Sequence, residues 1–327
     1  MSHFDRRAAL ASALGLTFSM ALPASAQGDF PSKPLKLIVP FPPGGSTDTL
    51  ARLIAQRLSD DVGQPVVIDN KPGAGGNIGM GLGTKAPPDG YTLFLTSTST
   101  IAINPTLYQK LPFDPDRDVA PVILLAYVPN ILVVNSSFPA KNMSEFIAEL
   151  KAHPGKYNFA SPGSGNSSHL AAELFKSMAG VEITHVPYKG DVPAITDLMA
   201  GQVQIMFMTS LVASTYLKDS RLRALAVAGP QRLSSMASLP TIAESGLPGF
   251  DASAWFGLST QSAVPKELVA KLNTAINGVL RSPEVRQRLE TSAMTPGGGT
   301  PQEYGDFIGR ERAKWGEVVK RSGAKID

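Results

Sequence analysis

Short apolar runs alternate with longer stretches of helical periodicity from residue 35 almost to the C-terminus. Runs at 35–39, 66–68, 91–95, 131–134, 157–160, 183–186, 205–208, 222–227 and 255–259 have the length and composition of strands. A further apolar run covers 122–128. Helical spacing falls at 47–59, where Leu50, Leu53, Ile54 and Leu58 make one stripe, and again at 169–179, 193–200, 265–280 and 303–322. Such alternation predicts an α/β fold with mostly parallel sheets. The 327 residues suffice for two domains of roughly 100–200 residues or for one large α/β domain.

Composition removes several classes of function. The chain has no cysteine, which excludes disulfides, thiolate metal sites and thiol nucleophiles. Its 30 Lys and Arg balance 27 Asp and Glu, for a net charge of +3, and no basic run of five occurs. A nucleic-acid partner is therefore not expected. Residues 1–26 read as an export signal: Arg6 and Arg7, then an uncharged Ala- and Leu-rich stretch, then Ala24-Ser25-Ala26. That stretch is short for a span of about 30 Å of hydrocarbon. The mature protein is expected to begin near Gln27, in a periplasm, exported by the general or the twin-arginine route.

Two stretches share one design, a strand running through a Gly- and Ser-rich loop directly into a helix. One is Val39 to Asp48, with Gly44, Gly45, Ser46 and Thr47. The other is Ala160 to His169, with Gly163, Gly165, Ser167 and Ser168. Free N–H groups and hydroxyls converge there on the positive end of a helix dipole, which makes an anion site without a charged side chain. The same residues also serve for plain N-capping, and one loop alone does not separate the two readings.

Catalytic patterns are incomplete. Gly163-x-Gly165 lacks the third glycine of a dinucleotide fingerprint, and Glu182 begins the next strand instead of ending it. Ser168 and His169 are adjacent and diverge by about 100° on a helix, a poor nucleophile–base pair. His153, His169 and His185 show no metal-ligand spacing. His185 in an apolar strand reads as a satisfied, partly buried histidine, and Trp255-Phe256-Gly257 as core or inter-lobe packing. No cofactor or metal is expected.

Eight stretches, in order, resemble the periplasmic substrate receptors of tripartite tricarboxylate transporters, the Bug family. They include Ile38-Val-Pro-Phe-Pro-Pro-Gly-Gly-Ser-Thr-Asp48, Asp69-Asn-Lys-Pro-Gly-Ala-Gly-Gly-Asn-Ile-Gly79, Ala86-Pro-Pro-Asp-Gly-Tyr-Thr-Leu93 and Ala102-Ile-Asn-Pro105. Ser161-Pro-Gly-Ser-Gly-Asn-Ser-Ser-His-Leu170, His185-Val-Pro-Tyr-Lys-Gly190, Pro240 to Phe250 and Trp255-Phe-Gly-Leu258 complete the set. The resemblance implies a two-lobed type II periplasmic-binding-protein fold with a ligand cleft between the lobes. Lobe one would comprise 27–127 and 229–327, and lobe two 128–228. It also implies a small organic carboxylate as ligand and membrane permease subunits as partners. Two departures stand out. Phe207-Met208-Thr209-Ser210 lacks the acid of the usual Phe-Asp-Asn, and Asp191 takes a place more often held by a small residue.

Taken together, these readings predict a monomeric solute-capture protein that is not an enzyme; a receptor presenting its closed form to a signalling partner is the alternative. The ligand-binding residues expected are Gly44, Gly45, Ser46, Thr47, Ser97 and Thr98 from lobe one. Gly165, Ser167, Ser168, His169, Tyr188 and Thr209 are expected from lobe two. Asp48 is expected to brace the first helix, with Arg52 at i+4, and not to touch an anion it would repel. His169 either donates to the ligand or fixes the second loop.

Overall fold

A computed structural model describes residues 30–326. The export-signal reading of 1–26 lies outside the described residues. The strands are β1 (Leu35–Val39), β2 (Val66–Asn70), β3 (Thr92–Ser97), β4 (Val119–Val128), β5 (Asn130–Asn135) and β6 (Asn158–Ser161). They continue as β7 (Thr184–Pro187), β8 (Ile205–Thr209), β9 (Leu222–Val227), β10 (Ala254–Gln261) and β11 (Thr295–Gly298). The helices are α1 (Ser46–Val62), α2 (Asn77–Gly83), α3 (Asn104–Leu107), α4 (Met143–Ala152) and α5 (Ser167–Ala179). After them come α6 (Asp191–Met199), α7 (Ser210–Tyr216), α8 (Lys266–Arg281), α9 (Pro283–Thr291) and α10 (Pro301–Ser322).

The strands form two sheets, ordered β11-β4-β10-β3-β1-β2 and β7-β6-β8-β5-β9. Both are built alike. A parallel part comes from strand–helix–strand units: β1 with β2 and β3, and β6 with β7 and β8. An antiparallel part comes from β4, β10 and β11 in one sheet and from β5 and β9 in the other. The sheets are thus mixed, not mostly parallel as the alternation predicts. The reason is the path of the chain: β4 leads straight to β5 in the other sheet, and the chain after β9 returns to β10 in the first. Strands entering a sheet from the other lobe need no helical crossover, so they pair antiparallel.

Local sequence accounts for the helices that position the cleft. Leu50, Ile54 and Leu58 of α1 are all 1% exposed or less, an i, i+4, i+8 stripe packed on β1. Burying each contributes about 1.5–3 kcal/mol. Gly63 ends α1 in the left-handed region (φ 66°), and Gly180 ends α5 likewise (φ 63°). The glycine-rich loop after β2 turns into α2. That short helix is held by Asn104, whose Nδ2 donates to Asn77 Oδ1 at 2.7 Å and to the Gly75 carbonyl at 3.1 Å. β11, Thr-Pro-Gly-Gly, has no strand propensity and exists only by pairing with β4.

The last helix joins the two halves. α10 packs against β4, α3 and α5. Its Trp315 shares one apolar cluster with Phe94 on one side and with Phe159, Phe175 and Phe207 on the other. Glu311, 8% exposed, accepts hydrogen bonds from Trp255 Nε1 and Trp315 Nε1, both at 2.9 Å, and pairs with Lys314 at 2.6 Å. Gly257 is required beneath it. A Cβ there would lie 2.2 Å from Tyr304 Oη and 2.7 Å from the Ile123 carbonyl oxygen. Replacing Glu311 with Ala leaves two buried indole N–H groups unpaired. The variant is expected to lose about 2–4 kcal/mol of unfolding free energy in urea, and Glu311→Gln, which keeps one acceptor, less than half of that.

Candidate functional site

A cleft of about 950 Å³ opens between the sheets, and both Gly- and Ser-rich loops face it. From the first half it is lined by Gly44, Gly45, Ser46, Thr47, Ser97 and Thr98, and from the second by Ser167, Ser168 and Thr209. Gly165, His169 and Tyr188 are not among the lining residues.

The first loop owes its form to Asp48. Its Oδ2 accepts from Gly44 N at 3.0 Å and from Arg52 Nε at 2.9 Å, and its Oδ1 from Asn70 Nδ2 at 3.0 Å. Burial raises its pKa, but the hydrogen bonds from Arg52, Gly44 and Asn70 outweigh burial and hold the carboxyl below its usual range. The aspartate is therefore spent on the loop, as the i+4 spacing to Arg52 predicts. Gly45, the N-cap of α1, has no side chain to offer its helix. The N–H groups of Ser46 and Thr47 thus have no acceptor among the described residues.

The second loop is braced by uncharged groups. Asn166 Oδ1 accepts from His169 N at 2.9 Å, and His169 Nδ1 accepts from Gly165 N at 3.0 Å. These bonds leave the N–H groups of Ser167 and Ser168, at the start of α5, without acceptors among the described residues. Gly165 turns away from the cleft at φ 78°, and a Cβ on it would lie 2.0 Å from Leu107 Cδ2 of the opposite half. The ring of His169 is 5% exposed and stacks on His185 with centroids 3.9 Å apart. It positions the loop from behind. Tyr188 Oη donates to Asp197 Oδ2 at 2.7 Å, and burial with that carboxylate pushes the phenol up to about 12.

Hydroxyl groups in the cleft are not equivalent. Ser168 Oγ donates to the Phe207 carbonyl, so its hydrogen is committed to β8. Thr98 Oγ1 accepts from Trp255 N at 2.8 Å, and Ser97 forms a capping box with Thr100. Those two build the floor. Ser46 Oγ and Thr209 Oγ1 meet across the cleft at 3.2 Å, the one hydroxyl pair there that joins the two halves among the described residues. Thr47 and Ser167 hydroxyls have no partner among the described residues and are free to donate. Sequence reasoning missed Lys189 and Asp191, which also line the cleft. They follow β7 at the start of α6, where a strand-to-helix loop was available as a signal.

The stacked imidazoles carry a pH dependence. Burial, then the neighbouring His185 and Lys176, lowers His169 from 6.5 to about 3; burial, then Lys176, lowers His185 to about 4. Both are neutral in the folded protein at pH 7, while the unfolded chain takes up protons below about 6.5. Their contribution is complete above that pH and is lost as pH falls towards the folded values. Urea denaturation between pH 6.5 and 5 should show stability falling by up to about 1.4 kcal/mol per unit for each ring. His169→Gln, weaker at pH 7, should have the flatter slope.

Comparison with known proteins agrees with this geometry. Residues 50–324 match the family model described as the tripartite tricarboxylate transporter family receptor. Protein BugT of Bordetella pertussis is 38% identical, over 95% of this chain and 95% of its own length. The structure of R. palustris Rpa4515 with adipate superimposes with a TM-score of 0.84 at 39% identity, covering 91% of this chain and all of that one. MatC from Rhodopseudomonas palustris, with bound malate, gives a TM-score of 0.79 at 34% identity, covering 89% of this chain and all of that one. With two lobes, an inter-lobe cleft and homology over nearly its whole length, the chain belongs to the receptor family of the tripartite tricarboxylate transporters.

Proposed function

We propose that the protein captures a small organic carboxylate in the inter-lobe cleft and delivers it to the membrane permease subunits of a tripartite transporter. One observation carries this reading: the first turns of α1 and α5 present N–H groups to the same cleft that are unpaired among the described residues, as are the hydroxyls of Thr47 and Ser167 beside them. The acids bound by Rpa4515 and MatC support it.

The ligand carboxylate receives hydrogen bonds from Ser46, Thr47, Ser167 and Ser168 backbone N–H groups and from the Thr47 and Ser167 hydroxyls. Gly44 and Gly45 let the first loop approach it, and Ser97 and Thr98 form the floor. Ser46 and Thr209 meet at the lobe boundary, while Gly165, His169 and Tyr188 act by fixing loop positions. Lobe one is 27–127 with 229–327 and lobe two 128–228; β4 passes into β5 after Val128, and the chain is back in the first sheet at Ala254. The receptor works as a periplasmic monomer after cleavage near Gln27, without cofactor and without chemical change to its ligand.

Mass spectrometry of denatured purified protein should release a small carboxylic acid. By calorimetry with that acid, Thr47→Val and Ser167→Ala should each cost about 1.5–3 kcal/mol, roughly 10- to 150-fold in affinity. Ser168→Ala should chiefly lower stability. Changes under threefold for both Thr47 and Ser167 would leave the backbone amides as the only donors. N-terminal sequencing of exported protein should read from Gln27, and an intact 1–26 would refute the export reading.

A further inference from the structure

The residues lining the cleft include two charged side chains, Lys189 and Asp191. They flank Gly190, whose N–H donates to the Pro162 carbonyl at 3.1 Å. That bond ties the start of α6 to the loop that carries the donor turn of α5, so Asp191 belongs to the same wall of the cleft. Its carboxylate makes no hydrogen bond or ion pair among the described residues, although the side chain is half-buried. Lys189 is exposed and makes no ion pair with it. Burial raises the Asp191 pKa, and only the first turn of α6, on which the residue stands, offsets its charge among the described residues. Asp48, the other aspartate near this site, is fully engaged by Gly44, Arg52 and Asn70 and is not a lining residue.

An unpaired carboxylate inside an anion-binding cleft is costly unless a ligand compensates it. A ligand with a second carboxylate adds like charge to it, whereas a protonated nitrogen supplies the missing partner and charge-assisted hydrogen bonds. We propose that Asp191 is a specificity-determining residue that selects carboxylates also bearing a protonated nitrogen and discriminates against dicarboxylates. This inference rests on the carboxylate-receptor reading and narrows it. The donor turns of α1 and α5 hold the carboxylate end; Asp191 reads the cationic end. Selection of this kind needs no contact beyond one side chain, because the penalty against the wrong ligand is repulsion.

The test uses the mature protein and three matched series of probes: ω-amino acids of three to six carbons, the dicarboxylates of the same lengths, and the unsubstituted monocarboxylates. Affinities are measured by calorimetry for the wild type and for Asp191→Asn, with melting temperature as the check that the variant is folded. At the best-fitting length the ω-amino acid should bind wild type at least tenfold more tightly than its dicarboxylate. Asp191→Asn should weaken the amino acid at least tenfold and strengthen the dicarboxylate. Lys189→Ala, as a control on the neighbouring charge, should keep the amino preference. A dicarboxylate bound as tightly as its amino partner, or an Asp191→Asn ratio within threefold of wild type, overturns the inference and leaves the carboxylate receptor standing. Failure of every carboxylate to bind overturns both.

Discussion

The first N–H groups of a helix have no acceptor within it, and whatever lies before the helix must supply one. In this protein neither principal loop supplies enough. Gly45 has no side chain with which to cap α1, and Asn166 spends its single acceptor on His169. The open ends of α1 and α5 face each other across one cleft, and the wall between them carries mostly hydroxyls, backbone and apolar surface. Recognition of an anion then comes from fixed dipoles, which need no charged side chain and little reorganisation.

Dipoles act only if the loops hold still, and the bracing groups differ in kind on the two sides. On lobe one a carboxylate does it: Asp48 gathers a backbone amide, an arginine and an asparagine. On lobe two a neutral imidazole accepts the Gly165 amide from behind, sealed by its stack on His185. An unprotonated Nδ1 is needed for that bond, and burial keeps it so. Both braces stand outside the cleft: Asp48 ties its loop to α1 and β2, and His169 ties Gly165 to α5.

Between the lobes, β4 passes directly into β5, while α10 packs on β4 of one lobe and on α5 of the other. The Ser46–Thr209 contact bridges the cleft, and a pair of hydroxyls there can exchange partners with a ligand or with water.

Much of this was legible in the residues taken alone. Apolar periodicity located β1, α1, β6, α5 and α10 to within a few residues, because those elements bury a face whose spacing is written locally. The two glycine- and serine-rich loops announced themselves for the same reason: their conformations and caps are short-range properties. The i+4 spacing of Asp48 and Arg52 likewise contained its own outcome. Tertiary structure alone decided the rest. Mixed sheets arise from where β4, β5 and β10 travel after leaving their neighbours, and β11 is a strand only because β4 offers its edge. Whether Ser168 donates to a ligand or to Phe207, and whether His169 faces the cleft or Gly165, depends on partners distant in sequence or on the side of the helix that packing turns inward. Asp191 was visible as an oddity of sequence, but its isolation inside the cleft is a fact of three dimensions: a charge is paired or unpaired only by what folding brings to it.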